Sequence, residues 1–510
     1  MNSGQRCVPR YFALCIALLL PQCVAAQSAE HQTAAIASAH PLATAAGHEM
    51  LERGGNAFDA AVAVAAVLAV VEPYSSGLGG GGFWLLHRER DKRQVMVDAR
   101  ETAPGGVKRG LYLDRDGKPI RGATTRGGAA AAIPGTPAAL VHIAGRYGAL
   151  PLADTLAPAI RHARDGFEVD ERYARIAKLR EPLLQNGAGT AGIFLDGNRA
   201  PRTGWLLRQP ELARTLKRLS QRGHGGFYEG AVARALVESV NRAGGVWQPS
   251  DLVNYRVIER APLRFQYRGA TITTAGLPSA GGIALAQCLN TLERFDLSDG
   301  RETATAHLVI EALRRAFHDR ALHLGDSDFV AAPVERLTSK AYAASRAATI
   351  SPSSATRSEA PGQDPVAAAG SGNTTHLSVV DAEGNRVAAT LTINLLFGAG
   401  IVADGTGVLL NNEMDDFTLR PDVPNSFRLR GGDANAIAPG KRPLSSMTPA
   451  FVEDGKGVLV LGAPGGPRIV SQVLLAILDY LHAPVVDLQR LVGAPRYHHQ
   501  WWPDRVEIEP

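Results

Sequence analysis

The chain changes its rhythm of apolar and polar positions along its length. From Ala60 to Val71, twelve residues of Ala, Val and Leu run without a polar break and stop at Glu72-Pro73. Small apolar side chains on every face, in a stretch below a membrane span, predict a helix over Leu51–Val71 buried between layers, with Asn56 and Asp59 suited to its start. A strand is expected after Ser75–Gly82, where four successive glycines, Gly79–Gly82, allow close backbone approach. No Lys-Ser/Thr follows them, so the string reads as a backbone wall near a site and not as a phosphate cradle. From about Ala129 to Thr349 apolar residues recur at helical spacing, as in Thr305–Leu324 with Leu308, Ala312, Ala316 and Phe317.

Residues 351–373 hold no apolar pattern and predict an exposed, flexible segment. After them the period drops to two. His376–Val380 and Arg386–Asn394 alternate around the turn Asp381–Asn385 as a hairpin, and Phe451–Glu453 with Val458–Leu461 form a second around Asp454-Gly455. The run Gly462-Ala463-Pro464-Gly465-Gly466-Pro467 then leads into an apolar helix over about Arg468–Leu481. A strand, a Gly-Gly turn and a helix start present free N–H groups at the positive end of a helix, which suits an anion or an oxyanion.

Composition narrows the class. The 510 residues, 45% hydrophobic and 20% charged, make a globular protein of two or three domains or one large continuous core. Arg6 and Arg10, the apolar run Tyr11–Leu20 and Val24-Ala25-Ala26 read as a secretory signal cut after Ala26, giving a periplasmic or secreted protein with no lasting membrane anchor. Two of the five surplus positive charges leave with it, and the remainder is a solvated surface that implies no nucleic-acid partner. Only Cys288 survives in the mature chain, which excludes an internal disulfide. No Cys/His cluster has zinc spacing, His498-His499 reads as structural, and neither metal nor organic cofactor is expected.

Thr374 stands where the two regimes meet. A threonine hydroxyl is a weak nucleophile without a neighbouring base, and the nearest base is the α-amino group released when the bond before it is cut. Taken alone, Thr followed by alternating apolar residues is also an ordinary strand opener.

Taken together the segments resemble the γ-glutamyltranspeptidase (glutathione hydrolase) family of N-terminal-nucleophile hydrolases. The resemblance rests on Gly54-Gly55-Asn56-Ala57 with Asp59-Ala60-Ala61, Val71-Glu72-Pro73, Ser76-Gly77 with Gly79–Gly82, and Asp98 to Pro104 around Arg100. It continues through Thr374-Thr375-His376, Asn411-Asn412-Glu413-Met414-Asp415-Asp416-Phe417, Lys441–Met447, Pro464-Gly465-Gly466, Ala494-Pro495-Arg496 and His498-His499-Gln500, in order from about Ala34 to the C-terminus.

The resemblance implies an α/β fold, a four-layer αββα sandwich of two interlocked subunits from one precursor: residues 1–26 signal, 27–373 large subunit, 374–510 small subunit. It implies autocatalytic cleavage before Thr374, with Thr374 as nucleophile, Thr392 orienting it, and Gly465 and Gly466 as the oxyanion pair. Arg100, Ser445 and Ser446 would bind the α-carboxylate of a γ-glutamyl group, and Asp416, Glu413 and Asn394 its α-ammonium. The substrates would be glutathione or other γ-glutamyl compounds, with water, an amino acid or a peptide as acceptor. A selective site for that zwitterion needs opposite charges a few ångströms apart and mostly dry, which these residue types supply. Each also has a plainer reading: Arg100 and Asp416 as a structural ion pair, Ser445-Ser446 as a cap or turn, Asn394 as a strand end. Glu413 stands where some members have glutamine, and Phe427, in a stretch 421–435 expected to form a lid, where some have tyrosine. The competing activities are a glutaryl or cephalosporin acylase, a poly-γ-glutamate depolymerase and a noncatalytic periplasmic binding protein.

Overall fold

The computed structural model describes residue 1 and residues 34–187, 189–297, 303–359 and 373–509. The expected signal, Met1 aside, and the part of the expected flexible segment from 360 to 372 lie outside the described residues. Residues 352–357 and 359 are exposed, Ser351 is half-buried, and Ser358 is buried with its N–H donating to Asp504 at 2.9 Å.

Two antiparallel sheets form the centre. The six-stranded sheet runs Ala35–Ser38, Thr375–Val380, Arg386–Thr392, Gly81–Arg88, Arg93–Ala99, Ile258–Arg260, and the four-stranded sheet runs Gly457–Leu461, Ala450–Asp454, Ala270–Thr274, Leu263–Tyr267. Strands from before and after the Asn373–Thr374 bond are neighbours in both sheets, so neither part completes a sheet alone.

Period-two patterning sorts the side chains into layers. Leu377, Val379, Val387, Ala389 and Leu391 point to one side, where they share a core with Trp84, Leu86 and the helix Ala57–Val71. The alternate positions meet the second sheet: Leu85 and Ala388 cluster with Phe451, and the Ser378 hydroxyl donates to the Val460 carbonyl at 3.1 Å. The outer face of the four-stranded sheet covers Leu285, Phe317, Val473 and Leu474 from the helices Gly281–Leu292, Thr303–His323 and Arg468–His482. Helix, sheet, sheet and helix make the expected αββα sandwich.

Two elements differ from their expected form. The buried helix starts at Ala57 and not at Leu51, because a separate helix, Pro41–Glu52, ends before a turn through Gly54 at φ +84°. Five strands interrupt the region expected to be helical among the described residues: the short pair Phe167–Glu168 and Leu206–Leu207, then Ile258–Arg260, Leu263–Tyr267 and Ala270–Thr274. Leu263-Arg264-Phe265-Gln266-Tyr267 alternates in a run too short to stand out among helices.

Every residue of Ala57–Val71 is buried, and its start is fixed by reciprocal capping. The Asn56 side chain accepts from Phe58 N and Asp59 N, while Asp59 accepts from Asn56 N at 2.9 Å and from Ala149 N and Leu150 N. Asp59→Ala strips an acceptor from three backbone donors at once, so folding stability falls by about 3 kcal/mol. A denaturant midpoint equal to the parent's at unchanged m would contradict this.

Candidate active site

The hairpin register sets Leu391 against Thr375, which brings Thr392 level with Thr374. Thr374 is 4% exposed, and its Oγ1 donates to the Asn373 carbonyl oxygen at 2.5 Å. Thr392 Oγ1 donates to the same oxygen at 3.1 Å, lies 3.4 Å from Thr374 Oγ1, and accepts from Asn394 N at 2.8 Å. Two hydroxyls therefore converge on the carbonyl of the bond preceding Thr374. The Asn373 side chain is itself held, accepting from Ser75 Oγ at 3.1 Å and donating to the Tyr74 carbonyl.

Buried Glu72 accepts from Thr375 Oγ1 at 2.9 Å and from the Tyr74 hydroxyl at 3.1 Å. Burial raises its carboxyl above the ordinary value, opposed by Arg172 at 3.5 Å. Val71-Glu72-Pro73 was recognisable as a motif, but its use as an anchor for the residue after Thr374 was not. The glycine string packs behind this group: a Cβ on Gly80 would stand 1.9 Å from the Thr392 carbonyl, and one on Gly79 2.0 Å from that of Leu409. None of Gly79–Gly82 lines the pocket in front of Thr374; the string is a backbone wall behind Thr392 and Glu101, near the site but not part of the pocket's lining.

That pocket brings together Arg100, Thr374, Thr392, Asn394, Glu413, Asp416, Phe427, Ser445, Ser446 and Gly466, and between them leaves about 20 Å³, room for one water. Arg100 is 1% exposed. Its guanidinium donates to Glu413, to Asp416 at 2.5 Å and to the Pro443 carbonyl at 3.2 Å, with Glu101 3.6 Å away. The opposite charges expected a few ångströms apart meet directly as an ion pair, the plainer of the two readings of Arg100 and Asp416. Burial opposes the Arg100 charge, but Glu413, Asp416 and Glu101 outweigh it and hold the guanidinium above its usual range. Burial pushes Glu101 up to about 7, and burial with the charges of Glu101 and Asp416 drives Glu413 well above a free carboxyl despite Arg100.

Within Asn411–Phe417 only Glu413 and Asp416 face the pocket. Asn411 spans Gly79 and Ala132, Asp415 accepts from Thr124 Oγ1 and Ser426 N, and the 3₁₀ turn Glu413–Asp416 aims Glu413 and Asp416 at Arg100. Asn394, at φ +72°, donates to the Asn412 carbonyl at 2.8 Å. Ser445 Oγ accepts from Met447 N, whereas the buried Ser446 Oγ and Glu413 Oε2 have no hydrogen-bond partner among the described residues.

Gly465 and Gly466 take φ of +119° and +62° ahead of the helix Arg468–His482, and neither N–H meets an acceptor among the described residues. A Cβ on Gly466 would lie 2.8 Å from the Phe427 ring. Phe427 is held over the pocket from three sides: Ser426 N donates to Asp415, Asn425 Nδ2 to Asp416 at 3.3 Å, and Gln500 Nε2 to the Phe427 carbonyl at 2.9 Å. Of the stretch 421–435, Phe427 and Leu429 line the pocket.

His498 bonds Ser471 and Gln500, and His499 bonds Asp504; burial pushes both imidazoles down to about 4. Among the described residues no group of three or more His, Cys, Asp or Glu is arranged to hold a metal ion, and no helix is long and apolar enough to cross a membrane. A roomier cleft of about 870 Å³ beside Leu475, Leu478 and Leu491 contains none of the predicted site residues.

The family model described as gamma-glutamyltranspeptidase matches residues 43–510. A glutathione hydrolase proenzyme of Pseudomonas sp. (strain A14) is 42% identical over 484 residues, covering 93% of this chain and 83% of that protein. Among solved structures, a cephalosporin acylase from Bacillus halodurans is similar with a TM-score of 0.79 at 26% identity, covering 97% of this chain and 89% of that one. The γ-glutamyltranspeptidase of Helicobacter pylori gives 0.62 at 37% identity, over 63% of this chain and 92% of that one.

Proposed function

This chain belongs to the γ-glutamyltranspeptidase family, and from that premise we propose that it is an exported glutathione hydrolase and γ-glutamyltransferase that cuts itself before Thr374. Its precursor yields a large subunit, 27–373, and a small one, 374–510, which stay joined because each sheet draws strands from both. The observation that carries the reading is the meeting of the Thr374 and Thr392 hydroxyls at the Asn373 carbonyl, beside a buried set of one arginine and three carboxyls.

In maturation, Thr374 Oγ1 attacks the Asn373 carbonyl carbon, with Thr392 donating to the oxygen as it gains charge. The C–N bond breaks, the amine leaves protonated, and water hydrolyses the resulting ester. The freed α-amine of Thr374 is then the base that its hydroxyl lacked. In turnover the same oxygen attacks the γ-amide, the N–H groups of Gly465 and Gly466 receive the oxyanion, and the α-ammonium returns its proton to the leaving amine. Water or an amino acid or peptide then takes the γ-glutamyl group from the ester. The substrate's carboxylate and ammonium each replace one half of the Arg100–Asp416 pair, so binding trades one buried ion pair for two. No metal or organic cofactor is needed for any of these steps.

A side-chain acylase would offer no ammonium to Asp416 and Glu413, leaving buried acids short of a partner. γ-Glutamyl p-nitroanilide is therefore expected to exceed glutaryl p-nitroanilide in kcat/KM by about 100-fold or more. A preference for the glutaryl compound would assign the chain to the acylases.

A further inference from the structure

The helix Thr303–His323 buries five ionisable side chains, and four of them are paired. Arg314 and Arg315 bond Glu311, and Asp319 accepts from Gln287 and Tyr342. Arg320 is the exception. It is 5% exposed, lines the same pocket as Thr374, and has no hydrogen-bond or ion-pair partner among the described residues. A buried guanidinium is normally paired, because desolvating its charge is costly. Burial, with Arg100 adding and Asp416 opposing, pushes it down to about 10, still protonated at neutral pH.

The unpartnered buried groups of the pocket fall into two kinds. Arg320 Nε is a charged donor and Ser446 Oγ a hydroxyl that can donate; Glu413 Oε2 belongs to a carboxyl. Arg100, by contrast, is already engaged by Glu413, Asp416 and Pro443. Arg320 is the cation of this pocket with no partner among the described residues to give up when an anion enters.

We propose that Arg320 is a second cation of the substrate site, binding the α-carboxylate of the γ-glutamyl group with Ser446 while Arg100 stays partly tied to the acids. The proposal rests on the γ-glutamyl reading above. It makes Arg320 a specificity residue toward the carboxylate and not toward the ammonium.

Three product-like ligands separate the charges: L-glutamate carries both, glutarate lacks the amine, and 4-aminobutyrate lacks the α-carboxylate. Their affinities for the processed enzyme, for Arg320→Lys and for Arg320→Gln are measured by calorimetry. Arg320→Gln should weaken L-glutamate and glutarate by roughly 10- to 100-fold, the range of a charge-assisted hydrogen bond, and leave 4-aminobutyrate within about twofold. Arg320→Lys should fall between, since it keeps the charge but not the fork. Equal weakening of 4-aminobutyrate, or no change for L-glutamate, overturns the proposal and makes Arg320 a support for Asp416. If Arg320→Gln fails to yield the two processed chains, the ratio of L-glutamate to 4-aminobutyrate affinity in Arg320→Lys decides: a fall of about threefold or more supports the role and an unchanged ratio ends it. A wild-type enzyme that binds glutarate as well as L-glutamate refutes the γ-glutamyl reading instead, and the contrast between glutarate and 4-aminobutyrate still reports on Arg320.

Discussion

Thr374→Ala is expected to leave one uncut chain with no detectable turnover of γ-glutamyl p-nitroanilide, a loss of at least about 10⁴-fold. In the proposed mechanism the hydroxyl has two jobs in sequence, so its removal acts twice. Without Oγ1 the Asn373 carbonyl keeps its contact with Thr392 but meets no nucleophile, and Thr392 stands on the oxygen side of that carbonyl. Uncut, residue 374 has no free amine, so even an added nucleophile would lack its base. Thr374→Ser separates the jobs: it keeps the oxygen, loses the methyl that restricts χ1, and should cleave and turn over more slowly. Denaturing gels and N-terminal sequencing of the smaller chain read the first step, and anilide release reads the second. A purified Thr374→Ala protein that still divides after Asn373 would remove the mechanism altogether.

Which residues meet at Thr374 was legible where one strand period governs the geometry. Alternation from His376 and from Arg386, joined at Asp381–Asn385, carries Thr392 to Thr374 without any long-range information. The Gly465-Gly466 turn was likewise visible, because a strand and an apolar helix flank it. What escaped the sequence depends on tertiary contacts. Arg314, Arg315, Asp319 and Arg320 look like solvated charges on a helix, yet contacts with Thr349, Thr356, Ser358 and Asp504 cover the two arginines, Gln287 and Tyr342 cover Asp319, and only Arg320 faces the pocket. Glu101 was noticed as part of a motif, but its place as third acid around Arg100 depends on the room that Gly81 leaves for its carboxyl just past the strand Arg93–Ala99. The Gly79–Gly82 string was read as a wall near a site, but glycine licenses many kinds of close approach, and only the neighbouring carbonyls show which one is used.

Asp416→Asn should reduce kcat/KM for γ-glutamyl p-nitroanilide by about 10³-fold while leaving self-cleavage intact, since Asp416 touches neither Asn373 nor Thr374. The substitution keeps shape and one acceptor but removes the charge that meets an ammonium in a dry pocket, where charge-assisted contacts are strongest. It also disturbs the acids around Arg100. The Asp416 charge is one of the causes that raise Glu413, so without it Glu413 ionises more readily and takes over the Arg100 guanidinium that it already touches. Arg100 therefore stays charged, and carboxylate binding survives. Glutaryl p-nitroanilide, which has no ammonium to lose, should fall by less than about tenfold, so the preference between the two anilides nearly disappears. That loss of discrimination distinguishes a lost ammonium contact from general damage, which would lower both substrates alike. Equal losses on the two anilides would return Asp416 to the role of a structural partner for Arg100.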